Sequence, residues 1–85
     1  MRQTPEQHAF SDAIRWACNL SDTIERTRKR LAANIARNNR NPHNYWQRRI
    51  EEDKAELVKL RQELAEANAA VEAAREELPL TERAA

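Results

Sequence analysis

Glycine is missing from this chain of 85 residues, cysteine and methionine occur once each, and proline occurs three times. Without glycine, no residue takes up positive φ freely, so tight glycine turns and the glycine loops that cradle phosphate are both excluded. A chain this short also buries too little surface to shape a deep cleft, which argues against an enzyme. The lone Cys18 forbids an intramolecular disulfide and gives no sign of an oxidising compartment. No run approaches the ~20 apolar residues of a membrane span, and the start lacks the apolar core of a signal peptide. A cytoplasmic protein with no membrane partner is the expectation.

Metal-ligand spacings are absent as well. His8, His43 and Cys18 form no HxxxH, CxxC or ExxH pattern, so neither a metal nor a cofactor is expected, and Cys18 reads as a small buried apolar residue. Glu51, Glu52, Asp53 and Glu56 crowd together, but on a helix with no facing cleft they read as a solvated face rather than an acid and base pair.

What the chain does contain is a heptad. Ile50, Leu57, Leu64, Val71 and Leu78 stand seven apart, Trp46, Leu60, Ala67 and Ala74 fill the alternate core position, and Asp53 is the one polar intruder. Ahead of it, Phe10, Ile14, Ala17, Ile24, Leu31 and Ile35 make a weaker stripe in which Ser21 and Arg28 occupy core positions. Thr4, Pro5 and Gln7 read as a capping box at a helix start, and the Asn-rich stretch Asn38, Asn39, Arg40, Asn41, Pro42 as a loop. These signals predict helix one over about 5–40, a loop over about 39–44, helix two over about 42–78 and a frayed tail over 79–85. Helix two would be capped by Asn41 or by Asn44. Asp22 followed by Glu25 offers a second capping site that would divide helix one, but the lack of Gly or Pro there favours one continuous helix.

Two helices of matched length joined by a short loop imply one all-α domain, an antiparallel two-helix hairpin of coiled-coil type. With the turn centred on Asn41, Phe10 would face Val71 and Ala74, Ala17 would face Leu64, Ile24 would face Leu57 and Leu31 would face Ile50. Arg28 and Asp53 would then meet as an ion pair that sets the register. Ala9, Ala13, Trp16 and Leu20 widen the apolar arc of helix one, and Val58 adds to that of helix two. Trp16, Leu20 and Val58 are therefore candidates for a dimer or partner face, and a homodimer forming a four-helix bundle would cover them.

Charge is distributed unevenly. Residues 1–25 hold two basic and four acidic side chains, residues 26–49 eight basic and none acidic, and residues 50–85 five basic and ten acidic. The basic block surrounds the loop, where Arg37, Arg40, His43, Tyr45, Arg48 and Arg49 combine cations with an aromatic and an imidazole. These side chains could hold nucleic acid, an acidic protein or the acidic open end of a second subunit, or they could simply solvate the helices. The expected function is a small non-catalytic module that blocks or bridges a partner protein. The alternatives are a nucleic-acid binder and a purely structural coiled coil. In size and architecture the hairpin resembles small phage-encoded proteins that inhibit host regulators or motility machinery, and that resemblance implies an inhibitor.

Overall fold

Helix α1 starts where its capping box places it. In the computed structural model, which describes residues 2–83, the Thr4 side chain accepts a hydrogen bond from the Gln7 N–H and the Gln7 side chain accepts one from the Thr4 N–H. Two of the donors that a helix start leaves unpaired are thereby satisfied. From there α1 runs unbroken over Pro5–Arg40, passing through Asp22 without a second start.

The chain then reverses over residues 41–43. The Asn41 N–H donates to Arg37 O at 3.0 Å, and the His43 N–H donates to the Asn38 side chain at 3.2 Å. Helix α2, Asn44–Glu76, is capped by neither asparagine: His43 Nδ1 accepts from the Tyr45 N–H at 3.0 Å. An imidazole nitrogen here satisfies an orphan donor of the first turn, as an Asn side chain does at a cap, and the Asn38 side chain accepts from the His43 N–H while His43 takes the extended conformation suited to the cap.

After α2 the residues expected to fray form a helical turn, α3, Leu80–Arg83. Arg83 ties it down by donating to Leu78 O at 2.7 Å and to Glu76 O, and Gln7 donates to Glu82 across the open end at 2.5 Å. Leu78 is buried beneath it. The last two residues of the expected tail lie outside the described residues.

The result is an all-α hairpin, a rod of 57 × 21 × 19 Å in which α1 and α2 lie packed against each other, with no strand among the described residues. Its length matches the ~54 Å that a 36-residue helix spans.

The face that α1 buries differs from the predicted stripe. Phe10, Ala17, Ile24 and Leu31 are at least partly covered, but their partners in the seam are Ala13, Leu20, Thr27 and Asn34, all buried. Ile14 and Ile35 stay 40% and 38% exposed, and Arg28 is exposed as well. Both candidate lines hold two polar residues, so apolar counting does not separate them. Desolvation does: Thr27 is short and uncharged and returns its hydroxyl to Thr23 O at 2.9 Å, whereas a buried Arg28 would carry a full charge out of water. On α2 the seam is Trp46, Ile50, Asp53, Leu57, Leu60, Leu64, Ala67, Val71, Ala74 and Leu78, each buried or half-buried.

The side chains that meet are also displaced from the turn-centred register: Phe10 lines a cleft with Leu78, Leu31 lines one with Leu57, and Arg30 and Asn34 reach Asp53 where Arg28 was expected. Side chains lean toward the N-terminus of their own helix, which in an antiparallel pair means away from the loop on α1 and toward it on α2. Tips that meet therefore belong to an α1 residue nearer the loop and an α2 residue farther from it.

Candidate functional site

Asp53 shows what that displacement does to the polar residues of the seam. Arg28 never reaches it; its guanidinium pairs instead with Glu25 on its own helix at 3.0 Å, in the open. Asp53 is met by Arg30, whose Nε donates at 3.0 Å, and by Asn34, whose Nδ2 donates at 2.9 Å. Arg30 also reaches Glu56 at 2.6 Å. The Asp53 hydrogen bond holds the Arg30 guanidinium pKa above its ordinary value, outweighing the opposing effect of desolvation, and Glu56 adds to the rise. Arg30 lies half in solvent, so the pair is screened on one side.

Asn34 passes the network toward the loop. Its Oδ1 accepts from Arg37 at 3.2 Å, and the Arg37 guanidinium lies 5.2 Å from the centre of the Trp46 ring. Trp46 in turn meets Tyr45 edge to face, with centroids 4.9 Å apart at 73°. A continuous set of contacts thus runs from Glu56 through the buried polar layer to an aromatic pair at the loop. Sequence reasoning missed Arg30, Thr27 and Asn34. The available signal was that Asn34 stands seven after Thr27 and three after Leu31, which is seam spacing for an uncharged polar residue.

The proposed dimer face does not survive as one surface. Leu20 is 8% exposed inside the hairpin. Trp16 and Val58 are both well exposed, but heptad geometry puts them on opposite flanks. One flank carries Ile14, Ser21, Arg28 and Ile35 of α1 beside Lys54, Arg61 and Arg75 of α2, with Val58 next to them. The other carries Trp16, Thr23, Arg30 and Arg37 beside Arg49, Glu56 and Glu63. The Arg30 to Glu56 bond joins the helices on this second flank.

The first flank contains an open groove of about 210 Å³, with Leu31, Ala32, Ile35 and Leu57 as its floor and Arg28 and Arg61 on its rims. Among the described residues Arg61 has no ion pair. At the open end, Gln3, Gln7, Phe10, Ser11, Leu78 and Glu82 line a cleft of about 320 Å³, which the α3 turn partly covers.

The loop end gathers Arg37, Arg40, His43, Tyr45, Arg48 and Arg49, of which only Arg49 is half-buried. Arg49 approaches Glu52 at 3.8 Å, whereas no ion pair reaches Arg37, Arg40 or Arg48 among the described residues. Cys18 is exposed rather than buried, on the outer face of α1. His8 lies in the first turns of α1 and His43 at the loop, so the two imidazoles occupy opposite ends of the rod. Among the described residues no three His, Cys, Asp or Glu side chains come together as a metal site would need, and no helix is long and apolar enough to cross a membrane.

These features define the class: an antiparallel helical hairpin with a buried polar layer in its seam and surfaces that differ in chemistry from flank to flank. Comparison with protein-family models, curated proteins and solved structures gives no match.

Proposed function

We propose that this hairpin is a non-catalytic, cytoplasmic binding module, acting on a partner protein by occupying its surface. The groove between Arg28 and Arg61 carries the reading: an apolar floor with cationic rims fits an amphipathic helix whose apolar residues are flanked by carboxylates. Binding would block the partner, as an inhibitor does, or bridge it to another molecule. The same flank is where a homodimer would form a four-helix bundle, and the two uses exclude each other.

Fluorescence anisotropy with a labelled Leu and Glu-rich amphipathic peptide tests the proposal. Binding should be lost in Ile35→Glu and should shift to a Leu and Lys-rich peptide in Arg28→Glu/Arg61→Glu. Equal binding of the acidic peptide by all three proteins would remove it. A sedimenting species of twice the 9.9 kDa chain mass that reverts to monomer in Ile35→Glu would assign the groove to self-association instead.

A further inference from the structure

The Arg30 to Glu56 bond gives a reference point on the second flank, because it marks two positions that face each other across the helices. One heptad nearer the loop, the equivalent positions hold Arg37 and Arg49. An attractive pair has been replaced there by two like charges. Such a juxtaposition is unfavourable unless an anion lies between them.

Among the described residues no carboxylate bridges the two: Glu52 approaches Arg49 alone, at 3.8 Å, no ion pair reaches Arg37, and Arg40 and Arg48 extend the positive charge. Arg37 is nonetheless held in place, by its hydrogen bond to buried Asn34 and by its position over Trp46, while its remaining donors have no partner among the described residues. A fixed guanidinium with free donors suits a phosphate oxygen well.

Beside this cation pair stands Tyr45, 52% exposed and braced edge to face by Trp46. Exposed Asn39, Asn41 and Asn44 lie around it in sequence and can donate to and accept from base edges. We propose that the loop end binds single-stranded nucleic acid, with Arg37 and Arg49 on a phosphate and Tyr45 stacked on an unpaired base. An acidic peptide would use the arginines but gain little from an open aromatic ring. A duplex keeps its bases stacked on each other and offers none to Tyr45. This surface is separate from the Arg28 and Arg61 groove, and neither reading depends on the other.

The full chain is titrated into a short fluorescein-labelled single strand, as DNA and as RNA, and into the matching duplex, over a series of salt concentrations. Affinity for the single strand should fall with salt, and the double variant Arg37→Gln/Arg49→Gln, which strips the shared phosphate of both its cations, should reduce the slope of log affinity against log salt by about 0.7. Lys59→Gln, which removes a charge away from the loop end, should leave the slope unchanged. Tyr45→Ala should weaken single-strand binding about tenfold without affecting the duplex, and Tyr45→Phe should restore it. Circular dichroism of each variant establishes that the hairpin is intact. The proposal is overturned by an absence of salt-sensitive binding, or by equal loss on both strand forms in Tyr45→Ala. Competition by polyglutamate as effective as that by the oligonucleotide would overturn it too, and would assign the end to an acidic protein.

Discussion

Asn34 donates a hydrogen bond to Asp53 at 2.9 Å inside the seam, in the third of the hairpin nearest the loop, and both side chains are almost completely shut off from water. Each satisfies what would otherwise be a costly buried polar group. A slip by a heptad that brought Thr23 and Thr27 to Asp53 in place of Arg30 and Asn34 would leave its buried charge without a cation. The bond therefore acts as a register key as much as a source of stability.

That role predicts coupling. Asn34→Leu should lower stability by about 1–3 kcal/mol, because the carboxylate is left with Arg30 alone, and Asp53→Leu should also destabilise by orphaning the Asn34 amide. The double variant should cost less than the two single losses combined. Urea unfolding of all four proteins, followed by circular dichroism, measures the difference; strict additivity would contradict the geometry.

Arg28 and Arg30 lie two residues apart and should behave differently. Arg28→Met removes an exposed pair with Glu25 and should change stability by less than about 0.5 kcal/mol. Arg30→Met leaves Asp53 short of a partner and should cost about 1–2 kcal/mol, the half-exposed guanidinium limiting the loss. If Arg28→Met proved the more damaging, the helices would be paired as the simple turn-centred register requires.

Within the core, Leu57→Ala should cost about 2–5 kcal/mol, since Leu57 is among the most buried side chains of α2. Ile14→Ala and Ile35→Ala should cost less, about 1–2 kcal/mol each, because they are 40% and 38% exposed and bury less surface than Leu57. Thermal melts of the three variants separate the observed α1 seam from the alternative line through Ile14 and Ile35.

At the other end of α1, Thr4→Ala removes the acceptor for the Gln7 N–H and should cost about 1 kcal/mol. Gln7→Ala should cost somewhat more, because Gln7 also donates to Glu82 and so holds the α3 turn over Leu78. Hydrogen exchange of the amides in 77–83 should quicken in Gln7→Ala; unchanged exchange would show that Arg83 alone secures the turn.

Much of the architecture was legible in the residues. The capping box from Thr4 to Gln7, the Asn-rich turn and the heptad from Trp46 to Leu78 each act through neighbours close in sequence, and they imply two long helices and a reversal between them. Cys18 and the Leu80–Arg83 turn were misread for the opposite reason. Whether Cys18 is covered depends on the helix opposite it, and the turn is held by a bond from Gln7 across the whole chain as well as by the bonds of Arg83 to Leu78 and Glu76.

The sequence by itself determined the hairpin, its lengths and the basic character of its loop end, because propensity, capping and periodicity are local properties. Only the tertiary structure decided which line of α1 faces inward and which residues meet. That choice depends on the tilt of side chains across an antiparallel interface and on the cost of burying Arg28 against that of burying Asn34. Asp53 was recognisable as a misfit from its heptad position alone; that Asn34 and Arg30 complete it became visible only once two distant helices lay side by side.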